Sequence, residues 1–142
     1  MIRTRTPLCR ASMLLLIGWL CGGPACIARG DSLRPPAEGY RLHCSGCHRE
    51  DGRGVPGFAP DLRKIGSLLT LDGGREYLGR VPGVAQAPVD DEELARLLTW
   101  VLREIANTEL PSPYSADEIR RLRKAPLRDP ISARKALFPY KP

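Results

Sequence analysis

The run Cys44-Ser45-Gly46-Cys47-His48 constrains this chain more than any other part of it. Two thiols two residues apart, followed at once by an imidazole, form the attachment pattern of a c-type haem. The spacing has a chemical reason. Both sulfurs must reach the two vinyl groups on one porphyrin edge, and the next residue must place its ring under the iron. Ser45 and Gly46 are small and leave room for the macrocycle. A thioredoxin-like redox pair would need a βαβ setting, and residues 29–60 carry no strand pattern. A zinc site would need two more ligands, and beyond His48 the soft donor in reach is His43. The motif therefore predicts one covalent haem c, held by Cys44 and Cys47, with His48 as the proximal iron ligand.

The N-terminus agrees with this chemistry. Arg3, Arg5 and Arg10 precede the apolar run from Met13 to Leu20, and Cys26-Ile27-Ala28 offers a cleavage site after Ala28. This is the form of a secretory signal, and the run is far shorter than the roughly 20 residues that span a bilayer. The rival readings are a retained anchor and lipid attachment at Cys26. The latter lacks the leucine such sites carry. Removing residues 1–28 also removes Cys9, Cys21 and Cys26, so the exported chain keeps only Cys44 and Cys47 and has no disulfide framework. The expected location is the periplasm. The net charge of +6 in the full chain falls to +3 with the three signal arginines. The 142 residues hold 6% aromatics, which leaves a small domain short of large side chains for its core. A bound cofactor can supply that bulk.

Over residues 35–106 the chain resembles a small monohaem cytochrome c of the class with its haem motif near the N-terminus. The residues that carry the likeness are Gly39-Tyr40 one helical turn before the motif, the glycine-rich stretch from Arg49 to Gly57, Ala59-Pro60-Asp61-Leu62, and a final amphipathic helix. In that helix Asp90 and Asp91 can cap, and Leu94, Leu97, Leu98, Val101, Leu102 and Ile105 recur at 3.6-residue spacing. The resemblance implies an all-α fold of three to five helices wrapped round the haem. It further implies that the Pro60 carbonyl accepts the Nδ1 proton of His48, which fixes the ligand's tautomer. Leu62 would pack on the proximal face, and Leu97 with Trp100 would cross Gly39 with Tyr40. Further helices are expected at residues 65–69 and 74–78.

The chain departs from that family on the distal side, where a methionine usually supplies the second ligand. Met1 and Met13 both lie in the signal, so a His/Met iron is excluded. His43 adjoins the proximal motif and reads as a solvated helix histidine. The loop before the last helix offers Gln86, a weak oxygen donor. Tyr77 and Lys64 are further candidates, Val84 could cover an open sixth position, and a donor from outside the chain is the last option. For the haem carboxylates the candidates are Arg80, Arg75 and the Trp100 indole.

Residues 107–142 extend beyond the usual end of such a domain. Leu110-Pro111-Ser112-Pro113 is a break. Ser115 and Glu118 then form a capping box, and another short helix is expected at residues 131–137. Residues 29–106 carry 11 basic and 12 acidic side chains, and residues 107–142 carry 8 and 4. The basic extension can pack on the domain through Ile119, Leu122, Leu127 and Phe138, steer a redox partner, or touch anionic lipid. Nucleic acid is not an expected partner of an exported chain without interleaved aromatics. The expected division is a signal at 1–28, a haem domain at 29–106 and an extension at 107–142. The expected activity is electron transfer between a dehydrogenase and a downstream acceptor. The alternatives are a protein whose open distal site binds small ligands or peroxide, and an accessory subunit of a larger dehydrogenase. An electron carrier is favoured over a catalyst, because the distal loop has no histidine to act as acid or base.

Overall fold

A computed structural model describes residues 34–138. The signal expected at residues 1–28 lies outside them. The described residues are helical apart from turns and one isolated antiparallel bridge between Val55 and Ala59.

Helix α1, Pro36–His43, starts on a proline that needs no intrahelical donor, with Glu38 in its first turn and Arg41 in its last. Cys44 separates it from the single turn α2, Ser45–His48. Arg49, at φ 63°, ends that turn in the left-handed region, and its carbonyl accepts a 2.6 Å hydrogen bond from the Tyr40 hydroxyl. A 3₁₀ helix, Leu62–Thr70, follows the glycine-rich loop. Its cap is Asp61, whose carboxylate accepts from the Arg63 N–H. Then come α3, Gly74–Arg80, and the short α4, Pro82–Ala85. Helix α5, Asp91–Trp100, is capped by the Asp90 side chain on the Glu93 N–H, and runs on into a π-helical turn, Val101–Ile105.

The leucine face of α5 is the centre of the core. Leu94, Leu97, Leu98, Val101 and Leu102 are all buried, each contributing on the order of 1.5–3 kcal/mol by leaving water. α1 crosses this helix at Gly39, where an added Cβ would sit 3.7 Å from Leu97. The Tyr40 and Trp100 rings meet beside the crossing at 5.6 Å, tilted by 46°.

Helices α6, Ala116–Arg123, and α7, Pro130–Ala136, belong to the extension and take Ser115 and Asp129 as caps. The described residues fall within one compact unit. Ile119 is completely buried, and Leu110 and Tyr114 nearly so. Leu122 and Leu127 are half-buried, whereas Phe138 stays 51% exposed. The polar seam is long-range. Arg75 grips both Glu118 carboxylate oxygens at 2.7 and 2.9 Å. Arg123 donates to the carbonyls of Ala85, Ala87 and Val89 and to Asp91. Among the described residues, no helix is long and apolar enough to cross a membrane.

Candidate haem site

α1, α2, the 3₁₀ helix, the α3–α4 segment, α5 and α7 surround a cavity of about 850 Å³. Its walls are mostly apolar and include Leu68, Leu78, Leu94, Leu97, Leu98 and Val101. Cys44, Cys47 and His48 all line it.

The loop between the motif and the 3₁₀ helix holds the proximal geometry. His48 Nδ1 lies 3.0 Å from the Pro60 carbonyl oxygen, so a proton on Nδ1 leaves Nε2 as the ring's free donor atom. The chain returns to His48 in stages. The Gly54 N–H donates to the His48 carbonyl at 2.9 Å, and Val55 and Ala59 exchange two hydrogen bonds across the turn. The Leu62 N–H then donates to the Gly52 carbonyl at 2.7 Å. Asp61, held down to about 2 by the Arg63 guanidinium, stays ionised to cap the helix that follows Pro60.

Both thiols are free. Burial, with Cys47 close by, pushes Cys44 up to about 11, so it is a thiol at neutral pH and a poor redox nucleophile or metal ligand. Among the described residues no cluster of three acidic, cysteine or histidine side chains could hold a bare metal ion. Two free sulfurs, an oriented imidazole and a deep apolar cavity fit a covalently attached haem.

The other expected site residues divide. Leu62 lines the cavity. Arg80, Trp100 and Gln86 do not. Arg80 donates from Nε to the Ala125 carbonyl at 2.7 Å, the Trp100 ring packs against Tyr40, and Gln86 is exposed beyond the end of α4. Arg75 is held by Glu118 and lies over the Tyr114 ring. Lys64 sits at a separate shallow surface depression. Tyr77 and Val84 do line the cavity, and the Tyr77 hydroxyl donates to the Pro130 carbonyl at 3.2 Å. His43, read as solvated, instead lines the cavity and has a buried Nε2 with no hydrogen-bond partner. Sequence reasoning missed Arg134, Lys135, Ile131 and Phe138 of the α7 region, and Phe58, as lining residues. The helix itself was expected at residues 131–137, but nothing local ties that segment to a cavity built so far upstream.

A family model described as cytochrome c matches residues 37–103. A cytochrome c-552 of Thermus thermophilus is 30% identical over 111 residues, covering 61% of this chain and 85% of the relative. The chain belongs to the cytochrome c family. A second cytochrome c-552 of the same species is 28% identical over 130 residues, covering 76% of this chain and 84% of that protein. This cytochrome accordingly carries covalent haem c, is all-α, and acts in electron transfer with redox partners. When bound, the haem iron supplies a one-electron couple. Cys44, Cys47 and His48 are the residues that would hold it.

Proposed function

We propose that this cytochrome works in the periplasm, taking electrons from a dehydrogenase and passing them to a downstream acceptor. Cys44 and Cys47 hold the haem as thioethers, His48 ligates the iron, Pro60 orients His48 and Leu62 packs on the proximal face. The contact between His48 Nδ1 and Pro60 O carries the reading, because it leaves Nε2 free on a ring that lines the same cavity as both thiols. Cys47 is exposed, so a thioether there brings the ring edge to the surface, where a partner's cofactor can approach. The basic extension adds an electrostatic attraction to an acidic partner.

The test is the mass of the exported chain made with its cytochrome-maturation machinery. The expected product begins after Ala28, carries one haem, and is reduced by a periplasmic dehydrogenase fraction. A bare-polypeptide mass would overturn the attachment. A haem-loaded chain found only in the cytoplasm would overturn the location.

One observation favours a second reading, in which small ligands reach the iron. The segment facing the cavity between α3 and α5 presents Val81, Pro82, Gly83 and Val84, none with a side-chain donor atom. Axial ligation and pocket polarity decide between electron transfer and ligand binding. The ferric protein is therefore expected to be high-spin, and the ferrous protein to bind carbon monoxide at once. A low-spin ferric EPR signal at neutral pH, with no carbon monoxide binding, would sink this reading and leave the carrier alone.

A further inference from the structure

Haem brings two carboxylates into its pocket, and they need cationic partners there. The ionisable side chains that line this pocket are His43, Cys44, Cys47, His48, Tyr77, Arg134 and Lys135. Only the last two are permanent cations, and both lie on α7. Neither forms an ion pair with a described residue. The two arginines expected near the haem are occupied elsewhere, Arg75 by Glu118 and Arg80 by Ala125, and Arg123 is held by Asp91. A carboxylate in an apolar cavity is unfavourable unless it is paired and hydrogen-bonded.

α7 is held in place against this wall. The Asp129 carboxylate accepts from the N–H groups of Ile131 and Ser132. The Pro130 carbonyl accepts from Tyr77, and the Leu127 N–H donates to the Arg80 carbonyl at 2.9 Å. Arg134 is near enough to Tyr77 to act on that phenol's ionisation.

We infer that the C-terminal extension completes the haem pocket, with Arg134 and Lys135 of α7 binding the haem propionates in the role that the sequence pattern assigns to Arg80 and Trp100. The inference rests on covalent haem attachment, which the mass of the matured wild-type chain establishes separately and first. Arg134, half-buried, supplies a planar fork suited to one carboxylate, and exposed Lys135 supplies a point charge at the rim. The same two cations could instead serve an anion entering from solvent, so the experiment separates the two sources.

Holoprotein variants R134Q/K135Q and the milder R134K are compared with R121Q/K124Q, which removes two exposed cations, one in α6 and one at its C-cap, that do not line the cavity. Reduction potential is followed against pH, with optical spectra to check that axial ligation is unchanged. The expected result for R134Q/K135Q is a lower potential. A redox-linked ionisation should also move upward by about one to three pH units, because a carboxylate that loses its cation holds its proton longer. R134K should lie between this variant and the wild type, and R121Q/K124Q should match the wild type in the pH profile. Profiles that superimpose for all four proteins would overturn the inference. So would a weaker ferric azide affinity in R134Q/K135Q with an unmoved profile, because the cations would then serve an incoming anion.

Discussion

At the scale of single residues, Gly54 shows how the glycine-rich loop controls the iron's expected ligand. It sits at φ 69°, and a Cβ there would collide with the carbonyls of Ala59 and Pro60. The second of these is the acceptor facing His48. Gly54→Ala is expected to destabilise the protein by about 1–3 kcal/mol through backbone strain, and to change the ferric spectrum by displacing Pro60. Urea titration and EPR of the matured variant check both, and a variant matching the wild type in each would show that the loop yields freely. Tyr40 gives a prediction in pH. Burial, its largest cause, raises its phenol to about 12 from an ordinary 10. A raised value means the folded state prefers the neutral phenol. That stability is complete below pH 10 and is lost as pH climbs from 10 to 12. Tyr40→Phe is expected to lose about 0.5–1.5 kcal/mol at neutral pH with the hydrogen bond to Arg49, and to unfold less steeply with alkali. Thermal melts from neutral pH into the alkaline range measure the difference.

At the scale of elements, the local signals are the ones that read correctly. The Asp90 cap and the leucine spacing mark α5, and Ser115 marks α6, because caps and 3.6-residue periods are written within a few residues. The Cys44–His48 motif is legible for the same reason. The apolar contacts of the extension at Ile119 and Leu122 are legible in part, but its polar docking is not. Arg75 and Glu118 stand 43 residues apart, and no period or cap announces that they meet. Arg80 shows the same limit: it reads as a haem partner from its place in the loop, yet it fastens the extension through Ala125. The Arg75–Glu118 pair is a test of that fastening. Each side chain is only about a quarter exposed, at 24% and 21%, so solvent screens the pair less than a surface bridge. Arg75 holds the Glu118 carboxyl below its usual range. A depressed carboxylate stabilises the fold above its unfolded value, and that contribution is lost as pH falls through the folded value. Glu118→Gln should therefore cost about 1–3 kcal/mol at neutral pH, with the gap to the wild type closing in acid. Hydrogen exchange should show α6 opening more often, and unchanged protection would mean that Ile119 alone holds the helix.

At the scale of the whole molecule, the core and the cofactor site are one object. Leu68, Leu78, Leu94, Leu97, Leu98 and Val101 belong both to the buried core and to the cavity wall, so the apolar interior is a shell around the space the haem takes. Few aromatics are on hand to fill that space from the chain itself. Without the haem, the apolar lining of a cavity of about 850 Å³ faces water, and burying each large apolar side chain is worth on the order of 1.5–3 kcal/mol, against the roughly 5–15 kcal/mol by which small domains are stable. The chain without haem should therefore not keep this packing. Cys44→Ala/Cys47→Ala, expressed without maturation machinery, is expected to retain much of its far-ultraviolet helix signal, lose near-ultraviolet dichroism, bind a hydrophobic dye and melt without a sharp transition. The extension should loosen with the rest, because α7 faces the same cavity and Ile119 shares the same core. A haem-free chain that melted cooperatively with native near-ultraviolet dichroism would mean that the helices pack against one another unaided, and that the haem is a guest in the core rather than its centre.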